Sequence, residues 1–262
     1  MSATATGIGL IVIRVPFFQV AGPLTLWYTD PTLGDVATFS HLSQNPGNTV
    51  FWAGHTELGT TMRIFRWPES GITYFWSDIR IGDWPADPNN FVSHCPNNGR
   101  NWVFDLQFHD VIGATRRRND EVWFAWPAPS GSGFLHLHVQ VVQINPSNWP
   151  ALTLVKQWQI WNPNFAFAYP AFYTNDCGDV GIAVAFGGGQ YFPTGAVGIA
   201  DGSGVLGSTV WYPALSDFCD SRWGDYLTVR SAHPDGIDYA GFIYSQSSAE
   251  GRAGRYIRFG RT

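Results

Sequence analysis

Short stretches in which apolar and polar residues alternate recur along the whole chain. Residues 134–141 read Phe-Leu-His-Leu-His-Val-Gln-Val, which sets Leu135, Leu137, Val139 and Val141 on one face and His136, His138 and Gln140 on the other. The same pattern predicts strands at Val50–Ala53, Met62–Trp67, Thr73–Ser77, Glu121–Trp126, Val180–Phe186, Tyr239–Tyr244 and Arg255–Phe259. Turn chemistry separates them: Asn45-Pro46-Gly47-Asn48, Ser130-Gly131-Ser132-Gly133, Asp201-Gly202-Ser203-Gly204 and Pro234-Asp235-Gly236. No stretch keeps the three-and-four apolar spacing of a helix over three turns. The pattern predicts an all-β protein.

The predicted strands also group. Four segments share one plan, a first strand, a polar turn and a strongly apolar second strand. They are Thr38–His41 leading to Val50–Ala53, Phe104–Gln107 to Val122–Ala125, Tyr169–Phe172 to Val180–Ala183, and Asp225–Thr228 to Tyr239–Phe242. With Phe39, Asp105, Tyr169 and Asp225 as anchors, the intervals are 66, 64 and 56 residues. Each interval has room for about four short strands, the content of one propeller blade. The predicted architecture is therefore a β-propeller of about five blades, four being the alternative, each blade of about four antiparallel strands. The whole of residues 1–262 is read as one domain. Residues 1–35 carry no clean copy of the plan and form either a degenerate first blade or a strand that closes the ring. Residues 82–102, with Trp84-Pro85, Asp87-Pro88 and Pro96-Asn97-Asn98-Gly99, are the longest irregular insertion, the kind of loop on which function concentrates. A β-sandwich is the competing fold, but it does not require a period near sixty residues.

Composition agrees with many short strands and tight turns: 45% hydrophobic, 13% charged, 16% aromatic, 29 Gly and 17 Pro. Lys156 is the only lysine, and Glu57, Glu69, Glu121 and Glu250 are the only glutamates, so long surface helices are excluded. The net charge is −5, and the one basic run, Arg116-Arg117-Arg118, is answered at once by Asp120 and Glu121. That run reads as a solvated turn, and nucleic acid is excluded as a partner. The apolar run Ile8–Val15 is broken by Gly9 and Arg14, too short to span a bilayer and unlike a secretion signal, so no membrane insertion is expected. Either the protein is made without such a signal, or the chain is a processed or excised piece. Cys95, Cys177 and Cys219 show no metal-ligand spacing, and their odd number leaves at least one thiol unpaired. One bridge, such as Cys177–Cys219, is open to the chain outside the cell, although spacing alone does not fix the pairing.

The stretch Tyr169-Pro170-Ala171-Phe172, Gly178-Asp179-Val180-Gly181-Ile182-Ala183, Phe192-Pro193 and Ala200-Asp201-Gly202-Ser203-Gly204, together with Arg222-Trp223-Gly224-Asp225-Tyr226, resembles a family of bacterial, sialidase-like propeller domains found mostly in exported proteins. The likeness spans about residues 165–245, and residues 37–67 look like a weaker copy of an earlier blade. It implies a propeller that is secreted or displayed at the cell surface. It implies no particular reaction, because the family's activities are largely uncharacterised. The sialidase Asp-box pattern is absent, and Leu227-Thr228-Val229 and His233-Pro234-Asp235 stand where the family has small residues and an Asp-Pro.

Glycoside hydrolysis needs two carboxylates about one bond, and Asp105 and Asp225 are the best axial candidates, with Arg222 and Tyr226 adjacent to Asp225. Trp223, Tyr169 and His41 join Asp105, Arg222, Asp225 and Tyr226 in the candidate ligand-binding set. The competing reading makes Arg222 and Asp225 an internal ion pair, with Trp223 and Tyr226 packed between blades. His136 and His138 lie on one strand face without a recognisable third ligand, and their face is read as solvent-exposed, so neither a metal nor a cofactor is expected. There is no G-x-S-x-G, no H-E-x-x-H and no phosphate loop, and Gly187-Gly188-Gly189 reads as a hairpin end. Aromatic loop residues, Trp84, Trp102, Trp149, Trp158, Trp161, Trp211 and Trp223, suit sugar recognition where they are exposed. The expected function is a non-catalytic binding propeller that recognises a glycan or a protein through loops at one face. The alternative is a carbohydrate-active hydrolase or lyase with an axial site.

Overall fold

The computed structural model describes residues 13–14, 27–28, 36, 40–87, 89–90, 92–103, 109–118, 120–200, 210–211, 219, 227–231, 238–246 and 252–260. Five antiparallel sheets follow one another along these residues. The first is a two-stranded ribbon of β1 (Ile13–Arg14) and β2 (Trp27–Tyr28). The second is β3 (Thr49–Glu57), β4 (Thr61–Pro68) and β5 (Phe75–Arg80). Two four-stranded sheets come next: β6 (Gly113–Arg117), β7 (Glu121–Ala128), β8 (His138–Asn145) and β9 (Thr153–Ile160), then β10 (Ala166–Thr174), β11 (Val180–Gly188), β12 (Tyr191–Ala200) and β13 (Val210–Trp211). The last is β14 (Leu227–Ser231), β15 (Asp238–Gln246) and β16 (Arg252–Gly260).

In every sheet the spatial order of strands equals their chain order, so each is a simple meander. A sandwich joins its two sheets by crossing connections, and none occurs among the described strands. The leading edges of the sheets lie side by side instead. Residues 40–44 run along β3, where Ser43 N–H donates to the Phe51 carbonyl at 2.8 Å. The same segment bonds in parallel to β6 and its approach, through His41 N–H to Val111 O, Gln44 N–H to Ala114 O and Arg116 N–H to Gln44 O, each 2.9 Å. β6 and β14 both lie against β10. Parallel leading strands around a common axis, each followed by an outward meander, define a β-propeller.

Three apolar seams weld the blades. Met62, Ile64 and Ile79 meet Phe124, Trp126 and Val142. Trp123, Ala125 and Val141 meet Phe172, Ile182 and Val184. Ala168, Ala183 and Val197 meet Val229 and Ile257. β7 therefore buries both faces, which is why Val122-Trp123-Phe124-Ala125-Trp126 reads as an unbroken apolar run. The same burial corrects the reading of residues 134–141. The strand starts only at His138, Leu135 is 67% exposed, and His138 and Gln140 lie inside at 1% each, because β8 has a blade on both sides.

A second correction concerns the leading strand of the β6–β9 blade. The strand that pairs with β7 is β6, not Phe104–Gln107, which is outside the described residues. A hairpin closed at residues 118–120, with Arg118 at φ 58°, keeps the loop short, whereas a strand ending at Gln107 leaves a long loop. The third correction concerns the cysteines: Cys95 is bonded to Cys219, and Cys177 is free and exposed.

Because neighbouring strands are antiparallel and leading strands are parallel, equivalent connections of all blades gather at the same end. The β3–β4, β5–β6, β7–β8, β9–β10 and β11–β12 connections share one end, called the upper end below; the β6–β7, β8–β9 and β10–β11 turns share the other. The insertion read at residues 82–102 belongs to the β5–β6 connection and is held down by buried Trp84 and Trp102 and by the Cys95–Cys219 bond. No helix among the described residues is long and apolar enough to cross a membrane.

Candidate functional site

Of the expected site residues, Asp105, Arg222, Trp223, Asp225 and Tyr226 lie outside the described residues. Tyr169 sits in the bulge between Ala168 and Ala171 at φ 53°, its ring 1% exposed and edge-on to Trp102 at 6.3 Å. Its described contacts are with the core.

His41 is among the described residues. It lies on the leading segment of its blade, close enough to Arg230 on β14 for that charge to act on it, while Tyr173 on β10 feels both Asp176 and Arg230. Burial holds the His41 imidazole below its ordinary value, a hydrogen bond to the Ile112 backbone opposes this, and Arg230 lowers it further. Burial likewise raises the Tyr173 phenol; Asp176 adds to the rise and Arg230 reduces it. Arg230 of one blade thus acts on His41 and on Tyr173, each from another blade.

A concave site among the described residues lies at the upper end. A cavity of about 590 Å³ is lined by Asn162, Asn164, Phe165, Gly189, Gln190 and Tyr191. Its two walls are the β9–β10 connection and the β11–β12 hairpin. In the first, the Asn162 carboxamide oxygen accepts from Asn164 N–H at 2.9 Å, a turn that asparagine makes with its own side chain. In the second, Gly188 pairs with Tyr191 across a two-residue turn, and Gly189 takes φ 60° at its first central position. The walls touch there: a Cβ on Gly189 would meet the Asn164 carbonyl at 2.7 Å.

The aromatic groups of this site are held from behind. Tyr191, 39% exposed, rests on Phe165 at 5.4 Å and Phe186 at 6.1 Å. Trp161 is 51% exposed and meets the edge of Phe134 at 5.6 Å, and Phe134 stacks on His138 at 3.9 Å. His138 in turn meets the Gln140 amide at 2.9 Å, and Gln140 accepts from both Gln157 and Gln159 at 3.2 Å. With the Gln140 amide donating, His138 Nε2 is the acceptor and the ring is neutral. Burial pushes its pKa down to about 4 against the opposing pull of the His136 backbone. His136 donates to the Pro163 carbonyl, which ties the β7–β8 connection to the wall carrying Asn162 and Asn164, and burial lowers its pKa too.

Of the seven loop tryptophans, Trp161 is exposed, Trp149 and Trp158 are half-buried, and Trp84 and Trp102 are buried, while nothing of the Trp211 and Trp223 side chains is described. Sequence reasoning named Trp161 but passed over Asn162, Asn164, Gln190 and Tyr191. The signal was present as Asn-Pro-Asn beside one exposed aromatic and a glycine run beside another. What joins them is loop proximity, which has no local signature. Among the described residues, no group of three or more His, Cys, Asp or Glu is placed to hold a metal ion.

No protein-family model and no curated protein matches the chain. Among solved structures it is similar to an α-L-arabinanase of Penicillium chrysogenum (TM-score 0.49, 10% identity, 87% of this chain and 67% of that one). It is similar also to a Hadza microbial sialidase (TM-score 0.49, 11% identity, 93% and 50%) and to a levansucrase of B. megaterium (TM-score 0.44, 11% identity, 83% and 66%). The chain spans from half to two thirds of the length of these structures.

Proposed function

We propose that this chain is a non-catalytic binding propeller that holds a glycan in the upper groove. The observation that carries the reading is the lining itself: three carboxamides and a supported phenol ring around a cavity of about 590 Å³, without a carboxylate or a base among the described lining residues. A sugar presents a C–H face that packs on an aromatic ring and a rim of hydroxyls that both donate and accept. Carboxamides do both as well, so each hydroxyl finds a matching partner. The Cys95–Cys219 disulfide supports an oxidising, extracellular setting, in keeping with the exported family that the chain resembles. The test is a glycan array followed by calorimetry on the intact protein. Tyr191→Ala and Asn164→Ala are each expected to weaken the selected glycan about tenfold, since each removes roughly 1–1.5 kcal/mol of contact. A blank array with folded protein would sink the reading.

A second reading, a carbohydrate-active enzyme with an axial site, is favoured by the convergence of His41, Tyr173 and Arg230. In that reading Asp105 and Asp225 supply the two carboxylates, with Arg222 and Tyr226 beside them. Asp225→Asn with undiminished turnover of a hydrolysed glycan would end it.

A further inference from the structure

We infer that the ligand of the upper groove is an uncharged oligosaccharide of at least two sugar rings, one stacked on Tyr191 and the next on Trp161. The inference rests on the glycan reading above and narrows it to a ligand class.

Two connections line the cavity, and the β7–β8 connection lies beside them. Residues 129–137, 161–165 and 187–192 contain no Asp, Glu, Lys or Arg. The charged β5–β6 connection of the same end, with Asp83, Asp87 and Arg100, contributes no described residue to the cavity lining. An anion leaving water for the groove needs a counter-ion or a set of pure donors. The groove offers Asn162, Asn164 and Gln190, and every carboxamide that donates also carries a carbonyl oxygen. Those oxygens satisfy hydroxyls but repel a carboxylate or a sulfate. His136, an ionisable side chain near this wall, is kept toward its neutral form by burial, and the neighbouring His94 adds to that effect.

The length argument rests on Trp161. It directly precedes Asn162 of the cavity wall, on the same β9–β10 connection, and is itself exposed. Half of its surface meets water, yet it is not loose, because Phe134 holds it from behind and Phe134 is itself stacked on the buried His138. Tyr191 is backed in the same way by Phe165 and Phe186. Two exposed rings, each braced by aromatic rings beneath, have already given up much of the side-chain freedom that binding would otherwise remove. A cavity of about 590 Å³ also has the size of sites that hold drug-sized ligands, larger than a single monosaccharide.

The experiment is calorimetry at pH 7.5 on the intact protein. The probes are mono-, di- and trisaccharides of the neutral gluco-, xylo-, manno- and arabino- series, with sialyllactose and oligogalacturonate as acidic counterparts. Neutral disaccharides are expected to bind about tenfold more tightly than their monosaccharides, the scale of one added ring-stacking contact. Trp161→Ala removes that gain, Trp161→Phe restores part of it, and Tyr191→Ala weakens every neutral ligand. An acidic glycan that binds best, and loses affinity in Tyr191→Ala, overturns the neutral class while the glycan reading stands. Affinity that does not change with length, or a Trp161→Ala variant with wild-type length dependence, overturns the second platform. If no sugar binds, the inference and the reading beneath it fall together.

Discussion

His55 is enclosed by the indoles of Trp84 at 5.0 Å and Trp126 at 4.7 Å and is wholly buried. Burial, with a smaller push from His109, brings its imidazole down to about 3 from the ordinary 6.5; burial brings His109 and His138 down to about 4. Each ring binds a proton more readily in the unfolded chain. The stability they confer is complete above pH 6.5 and is lost as pH falls from there through the folded values. Melting temperature is therefore expected to fall steeply between pH 6.5 and 4, and His55→Phe, which keeps a ring in the cage, to flatten that fall in melts followed by circular dichroism. Gly189 is the other position at which one residue decides much. An alanine there needs φ near 60° and places its Cβ 2.7 Å from the Asn164 carbonyl. Gly189→Ala should cost about 1–3 kcal/mol in chemical denaturation and weaken glycan binding, because the two groove walls must separate.

Between elements, the disulfide stands out. It joins the β5–β6 connection to the approach to β14 across a separation of 124 residues. A cross-link over so long a loop strongly restricts the unfolded chain, so Cys95→Ser with Cys219→Ser should cost about 2–5 kcal/mol. Cys177→Ser, at an exposed turn of the opposite end, is expected to stay within about 0.5 kcal/mol of the wild type. Urea titrations of both variants check this. Element identity was largely legible in the chain: β3, β4, β7, β11, β15 and β16 lie where alternation and turn residues put them, each with ends a few residues longer. The misreading at Phe104–Gln107 arose because several short stretches alternate equally well, and only pairing to β7 through the turn at 118–120 selects β6. The misreading of His136–Gln140 as a solvated face arose because polar residues at every second position imply water only when no second blade covers that face. His138 and Gln140 instead satisfy each other inside the seam.

For the molecule as a whole, the groove lies in a sector of the upper end whose cavity-lining connections carry no Asp, Glu, Lys or Arg. Salt screens charges and leaves stacking and carboxamide hydrogen bonds in place. Glycan affinity is expected to change less than about twofold between roughly 0.05 and 0.5 M NaCl, a range over which an ion-paired ligand would be lost. Calorimetry across that range checks it. The sequence by itself determined that the chain is all-β, that its strands come in successive meanders, and that aromatic residues would fill the spaces between them. These properties depend on side-chain alternation and turn residues a few positions apart. Only the tertiary structure decided that Cys95 meets Cys219, that Arg230 lies close enough to His41 and Tyr173 to act on both, and that Asn162 and Tyr191 face one cavity. Those pairings join residues up to 189 positions apart. They follow from the packing of blades around an axis, which brings connections together by their end of the ring and not by their distance along the chain.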